Sequence, residues 1–509
     1  MPRSGFTHGV ASGEPSTSSV LLWTRFVGAN DTRSPNPVPL QAEISDAADF
    51  SRIVARGTAI ADPGADWTAR VTMTGLPPDD RWFYRFRAPD GNVSPVGRTR
   101  TFAEGTAGRL SFAAFSCSNL PFGWFNAYAH AAADPTLDLA IHLGDYLYEY
   151  PRGVYPSKGR SVAGRIHEPA TALVSLADYR TRYAAYRLDP DLRALHMAMP
   201  MLAVWDDHEF ADNATREGAT NHDPKTEGDW QVRKAAAARA WHEWMPVSHE
   251  DRAEARDAGQ MASFISLETR VTGRMAPVDF YPLMNIAENR DARLAEWRDS
   301  VWRDPAQMML GQAQEEFVLA ALRDAPARTR WQILVNSVPM GLCKLAPGAA
   351  GWPVSGGEDG KRDVDFLVAC AKVGLPFNMD NWNGFPEQRA RLLRAAQDAG
   401  CRLIVLSGDS HNAWSYRLQE RGRPAGYELG VPSVTSPGFD AWFPEGDPAT
   451  ISQAMTDANE ELLWCDTSRR GYGRVDLDAA SATLSWIFTD PIGQRSPMAA
   501  VGHRIVIPS

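Results

Sequence analysis

Five apolar runs in this 509-residue chain each stop at residues able to ligate a metal. They end in Ser116-Cys117, Gly144-Asp145, Asp206-Asp207-His208, Asn336 and Gly408-Asp409-Ser410-His411. Short apolar runs bounded by polar residues read as strands, and in open α/β sheets ligands bind at the carboxyl ends of strands. A glycine directly before an aspartate lets the backbone turn sharply and present the carboxylate. Carboxylates brought together without partners repel one another and resist desolvation. A bound multivalent cation removes that conflict. Two cations about 3.5–4 Å apart can clamp a phosphate and activate water for in-line attack.

Each position also has a plainer reading. Asp145 alone could cap a helix or end a strand. Cys117 could be a small buried hydrophobe, the common fate of a free cysteine. Tyr148, three residues past Asp145, could be a core aromatic. Asp206 and Asp207 are neighbours, and in extended backbone neighbours face opposite ways. Asp207 is therefore assigned to the metal, with Asp206 as a support or a further ligand. Asn213 reads as a turn residue or an additional oxygen ligand. His142, inside the run leading to Asp145, reads as a core residue.

The elements that must position these residues follow two patterns. The first hundred residues read as short strands, among them Ser18 to Thr24, Leu40 to Ile44, Val71 to Leu76, Trp82 to Arg87 and Arg98 to Phe102. Turns such as Pro77-Pro78-Asp79-Asp80 separate them, which predicts an all-β sandwich. The small, polar stretch Ala103 to Gly108 marks a boundary, giving residues 1–105 and 109–509 as two domains. Beyond it, apolar runs alternate with helical patterns at about Phe122 to Ala133, Leu176 to Met199, Trp230 to Trp244 and Pro386 to Ala399. That alternation predicts an α/β domain. Pro190 should interrupt the second helical region. Tyr150 to Leu173 and Lys344 to Asp380 are rich in Gly and Pro and read as surface excursions.

The formal net charge is −10, which argues against nucleic-acid binding through a general basic surface. No run of about 18 apolar residues predicts a membrane-spanning helix. The opening Met-Pro-Arg-Ser-Gly-Phe-Thr-His has no signal-peptide pattern, so the chain reads as cytoplasmic or as lacking a removed export signal. Its 5 cysteines show no Cys-x-x-Cys pair, which excludes a structural zinc site of that type. Nothing in the pattern sets an oligomeric state.

Gly144-Asp145-Tyr146-Leu147-Tyr148 resembles the Gly-Asp-x-x-Tyr motif of purple acid phosphatases. Trp205-Asp206-Asp207-His208-Glu209 and Ser407-Gly408-Asp409-Ser410-His411 are similar to motifs of the alkaline phosphatase D family. So are Gly9-Val10-Ala11-Ser12-Gly13-Glu14-Pro15, Leu22-Trp23-Thr24-Arg25, Asn336-Ser337-Val338-Pro339, Trp382-Asn383-Gly384-Phe385-Pro386 and Thr467-Ser468-Arg469-Arg470-Gly471-Tyr472. In order, they span nearly the whole chain.

The resemblance implies a fibronectin III-like sandwich followed by a calcineurin-like αββα four-layer metallophosphoesterase domain. It implies a hydrolase that releases phosphate from small phosphomonoesters, extending to diesters, by attack of metal-bound water. A phospholipase D-type phosphodiesterase is the neighbouring alternative, and a non-catalytic cell-surface binding protein the alternative of another class. Asp145 would bridge two metals. Cys117, Tyr148 and His411 would complete an Fe3+ site, and Asp207, Asp409 and Asn336 a Ca2+ site. A dinuclear zinc or manganese centre is the other option. His208 would contact the phosphate or protonate the leaving oxygen, so Asp145, Asp207 and His208 form the expected catalytic group. The resemblance also implies a periplasmic or secreted protein, in which the four cysteines other than Cys117 could form two disulfides. Relatives often carry an acidic residue where Asn383 stands and a histidine where Arg469 stands.

Overall fold

The computed structural model describes residues 4–28, 36–105, 108–157, 159–248, 253–286 and 288–509. Thr106 and Ala107 of the expected boundary lie outside these. Two large sheets stack face to face and carry helices on their outer faces. The first has nine strands, with Arg109–Phe115, Leu139–His142 and Met201–Ala203 running parallel at its centre. The second has seven, with Ala262–Ser266, Trp331–Val335, Leu403–Ser407 and Arg423–Gly430 in parallel.

Alternation along the strands builds both cores at once. Phe112 and Ala114 face the second sheet and meet the layer formed by Ile333, Val335, Ile404 and Leu406. Ala113 and Phe115 face outward against helices Asn126–Ala133, Leu176–Tyr186 and Trp230–Trp244. Leu334, Leu403 and Val405 likewise face Gln312–Asp324, Gly357–Lys372 and Pro386–Asp398. Strands buried on both faces have no polar side to present, which is why they read as unbroken apolar runs. The result is the αββα architecture expected from the resemblance.

The N-terminal sandwich shares a sheet with its neighbour. Its strands Val10–Gly13, Ser19–Arg25 and Thr68–Thr74 extend the nine-stranded sheet, through a parallel bridge between Gly13 and Met201. Only its second sheet, Ile53–Ala61, Val38–Ser45, Arg81–Arg87 and Gly97–Arg100, stands apart. Val20, Leu22, Leu40, Ile44, Tyr84 and Phe86 fill the space between.

Two expectations need correction. Lys344 to Asp380 is not simply an excursion, because it contains the helix Gly357–Lys372, which buries Val364, Phe366, Leu367 and Val368. The four cysteines available for pairing, Cys343, Cys370, Cys401 and Cys465, are all free, as is Cys117. Pro190 splits the second helical region as its missing N–H requires: one helix ends at Tyr186, and the next, Pro190–Ala198, takes the proline at its first turn, capped by Asp189. Among the described residues no helix is long and apolar enough to cross a membrane.

Candidate metal centre

The five strand ends converge on one edge where the two sheets meet. Cys117 N–H donates to the Gly144 carbonyl at 3.3 Å, and Ser118 N–H to the Asp145 carbonyl at 2.8 Å. Within the second sheet Gly408 N–H donates to the Ser337 carbonyl at 2.8 Å, and Asp409 N–H to Ser116 Oγ, 3.4 Å, joins that sheet to the first. The backbone turns hard at the ligand positions. Cys117 has φ 61°, Asp145 55°, Asp409 59° and His411 61°, all left-handed. Such conformations are disfavoured for residues with a Cβ and persist where surrounding structure imposes them. Gly144 permits this crowding, since at φ 98° a Cβ there would overlap the Asp206 backbone nitrogen and Cβ.

Three sets of donor atoms lie mutually within 4.8 Å: Cys117, Asp145 and His411; Asp145, Asp207 and His208; and Asp206, Asp207 and Asp409. Asp145 belongs to the first two sets and Asp207 to the last two. Tyr148 joins the first, donating from its hydroxyl to Asp145 Oδ2 at 2.9 Å and lying 3.2 Å from His411 Nε2. His411 Nδ1–H is tied to the Pro437 carbonyl at 2.8 Å, which leaves Nε2 with its lone pair facing the cluster.

The electrostatics of this cluster without a cation are unfavourable. Burial pushes the Asp145 carboxyl well above its usual range, and Asp207, Asp206 and Glu209 add to the push. Burial and then Asp206 do the same to Asp409. The Cys117 thiol and Tyr148 phenol are raised by burial and then by Asp145. Burial lowers His411 to about 4, so its imidazole stays neutral. Burial opposes ionisation of Asp207 as well, but Arg270 and His208 hold its carboxyl below the ordinary value.

Family models and known relatives match the chain over most of its length. The PhoD-like phosphatase model matches residues 112–486, and the model of the PhoD-like phosphatase N-terminal domain matches residues 1–103. The chain belongs to the PhoD-like phosphatase family. It is 31% identical to alkaline phosphatase D of Bacillus subtilis (strain 168) over 457 residues, covering 86% of this chain and 70% of that protein. A solved structure of PhoD superposes with a TM-score of 0.79 at 26% identity, covering 99% of this chain and 91% of the other. The chain is therefore a hydrolase of the phosphatase class.

The donors of this PhoD-like phosphatase fit a metal pair. Cys117, Tyr148 and Asp145 could supply three donors that are anionic when deprotonated, beside a neutral imidazole. A bound multivalent cation favours the ionised forms of such a buried thiol and phenol. On the other side, the carboxyl groups of Asp206, Asp207, Asp409 and Asp380 outnumber the two guanidinium groups of Arg270 and Arg274 that they face. Asp207 Oδ1 is buried and has no hydrogen-bond partner among the described residues. Its ion-pair contact is Arg270 Nη2 at 3.4 Å, which leaves lone-pair capacity for a cation.

Some expected residues sit differently. Asp206 and Asp207 do not diverge, because the strand Met201–Ala203 ends before them and both carboxylates reach the same cluster. Asp206 is occupied by Arg270 and by Ser337 Oγ at 2.7 Å, so its role is support. Asn336 is fully buried, with Oδ1 accepting from Trp382 Nε1 at 3.0 Å and Nδ2 donating to the Val338 carbonyl. Asn213 contributes its backbone N–H, which donates to Asp207 Oδ2 at 2.6 Å. Asn383 ties its loop to the one after Trp331–Val335, accepting from Cys343 N–H at 2.9 Å and donating to the Gly341 carbonyl at 3.0 Å. Arg469 pairs with Asp466 and lies over the Phe488 ring.

Three supports were not visible as such in the sequence. Arg270 is wholly buried and reaches Asp206, Asp207, Asp380 and Asp409. Glu209 accepts the backbone N–H groups of Asp145, Tyr146 and Asp206 at 3.0, 2.5 and 2.7 Å, locking two site loops together. Glu149 accepts from His208 Nδ1 at 2.8 Å, from Asp212 N–H at 2.8 Å and from Asn221 Nδ2 at 2.6 Å.

Proposed function

We propose that this enzyme hydrolyses small phosphomonoesters, extending to diesters, at a mixed Fe3+–Ca2+ centre. The observation that carries this reading is the sharing of Asp145 between the Cys117–His411 set and the Asp207–His208 set. Cys117, Asp145, Tyr148 and His411 would hold the ferric ion. Asp145, Asp207 and Asp409 would hold the calcium ion, with Asn336 at its margin. The two cations would supply water activation and neutralisation of charge on the phosphoryl oxygens.

The chain's own contribution is proton management and positioning. Burial acts to lower the His208 pKa, but Asp207, Glu149 and Asp145 raise it well above the ordinary value. Glu149 lies 2.8 Å from Nδ1 of the imidazole and fixes the proton there. Its other nitrogen is the one able to hand a proton to the leaving alkoxide. The Tyr148 ring, 4.2 Å from the His208 ring between centroids, fixes the imidazole plane.

Metal analysis with a visible spectrum tests the reading. Iron and calcium in about equal amounts, with a tyrosinate-to-iron absorption band, are expected. A colourless, iron-free and fully active enzyme would overturn the iron assignment in favour of a zinc or manganese pair. Strong preference for phosphatidylcholine over an aryl monoester would replace the monoesterase reading with a phospholipase D-type one.

A further inference from the structure

A cleft of 630 Å³ opens beside the carboxylate cluster. Its volume lies within the range of small-molecule sites, about 300–1,000 Å³. Three segments line it, around Asn213 to Thr220, Ala276 to Tyr281 and Phe377 to Asp380. Two of its residues touch the cluster directly. Asp380 Oδ2 accepts from Arg270 Nη1 at 2.5 Å, and Asn213 N–H donates to Asp207 Oδ2 at 2.6 Å. A group attached to a phosphate held at the cluster therefore meets this cleft first.

Much of the remaining wall is apolar, formed by Val278, Tyr281, Phe377 and Met379. Tyr281 is 46% exposed, high for a large aromatic, yet its ring is backed by Phe280 and Phe366 at 5.1 and 5.9 Å. Phe377 is backed by Phe439 at 5.7 Å. Rings buttressed from behind and open in front form a preorganised surface for another flat apolar group.

The charge on this wall is one-sided. Among the described residues no lysine or arginine lines the cleft, whereas Asp279, Glu217 and Asp380 do. Asp380 is matched by Arg270 and Arg274, and Glu217 by the exposed Arg216 at 2.7 Å. Asp279 accepts the Tyr281 N–H at 2.9 Å, a partner that leaves its charge uncancelled. Burial first, and then Asp363, Cys370 and Asp279, push the Tyr281 phenol up. Recognition of a second phosphate or a carboxylate calls for an arginine or lysine.

We infer that this cleft is the leaving-group subsite, and that it selects phosphoesters of uncharged aromatic or apolar alcohols over those whose alcohol carries a further negative charge. The inference rests on the phosphoesterase reading above. Tyr281 and Phe377 supply the contact area, and Asp279 supplies the discrimination.

The test uses the metal-loaded enzyme and three aryl phosphates of matched leaving-group acidity: one neutral, one carboxylated and one bearing a trimethylammonium group. The neutral ester should exceed the carboxylated one in kcat/KM by about 10-fold at low salt, and the gap should narrow as salt screens it. The trimethylammonium ester should match or exceed the neutral one. Tyr281→Ala should lower kcat/KM for the neutral ester by about 10-fold, through KM, while the Ki of inorganic phosphate shifts by less than about 2-fold. Asp279→Asn should raise turnover of the carboxylated ester about 3-fold. Equal kcat/KM for all three esters would overturn the inference while leaving the phosphoesterase reading intact. A phosphate Ki that rises in step with KM in Tyr281→Ala would also overturn it, since the residue would then support the whole site. No turnover of any ester would overturn the phosphoesterase reading and this inference with it.

Discussion

Arg270 donates from Nη2 to Asp409 Oδ1 at 2.9 Å, so the loop that follows one strand of the second sheet grips the carboxylate at the end of another. The same guanidinium reaches Asp206 and Asp380. Arg270→Ala leaves these carboxylates without their shared positive charge. Removing one partner of a buried ion pair costs about 3–5 kcal/mol. The chelator-treated variant should lose stability on that scale. The metal-loaded variant should lose less, because a bound cation takes up part of the charge. Thermal unfolding of both forms checks this, and equal losses would show that Arg270 does not share its role with a cation.

Glu209 is the clamp between the loop after Leu139–His142 and the loop after Met201–Ala203. Burial raises its carboxyl to about 7, while three backbone donors pull it down. Glu209→Gln keeps the shape but turns an NH2 group towards backbone N–H donors. Loosening of ligand geometry by even about 1 Å costs on the order of 100-fold in rate. The variant should therefore fold, bind less metal per chain and lose at least about 10-fold in kcat/KM. Metal stoichiometry alongside kinetics is the measurement, and unaltered stoichiometry and rate would remove the clamp role.

How much of this was legible is a matter of range. The strand ends were legible because strands buried on both faces leave an unbroken apolar run with a polar stop, as Trp331–Val335 and Leu403–Ser407 do. The helix Trp230–Trp244 and the break at Pro190 follow from local chemistry alone. The helix Gly357–Lys372 was hidden because it opens Gly-Glu-Asp-Gly, poor helix-forming sequence, and is held by packing of its later apolar residues. The strand Ile53–Ala61 was hidden by arginine and glycine inside its alternating pattern. Arg270 had no local mark at all. Its importance comes from carboxylates at 206, 207, 380 and 409, which only the fold brings together. Asp206 and Asp207 were expected to face opposite ways because strand geometry was carried past the strand's end at Ala203.

Gly144 is a backbone requirement. It adopts φ 98°, and a side chain there would run into the Asp206 backbone. Backbone cannot swing aside as a flexible side chain can. Gly144→Ala should therefore destabilise by about 3 kcal/mol or more, through overpacking and an unfavourable φ together. Denaturant unfolding of the variant checks this. A loss below about 1 kcal/mol would mean that the two loops are free to separate.

Tyr148→Phe separates ligand from shape. The phenol receives a hydrogen bond from Ser436 Oγ at 2.8 Å and donates to Asp145. Phenylalanine keeps the ring that stacks on His208. Fold and calcium content should persist, while the expected visible band disappears and kcat/KM falls by about 10- to 100-fold. Retention of the band would assign the colour to Cys117 instead.

Acid stability follows from buried neutral histidines. His142 is fully buried, with Nε2 paired to the Tyr128 hydroxyl at 2.8 Å and Nδ1 unpartnered. Burial lowers its pKa to about 3, and burial with Arg25, Arg187 and Arg193 lowers His8 to about 2. A histidine whose folded pKa is depressed contributes stability that is fully present above its unfolded value near 6.5. That stability is lost as pH falls towards the folded value. At about pH 4.5 the loss from His142 alone is about 2–3 kcal/mol relative to neutral pH. His142→Gln cannot take up the proton and removes this contribution. Unfolding free energies at neutral pH and near pH 4.5 should therefore fall less in the variant than in the wild type, by about that amount. Equal falls in the two proteins would place the acid sensitivity elsewhere, in carboxylates such as Asp134 and Asp476 that are held below their usual values.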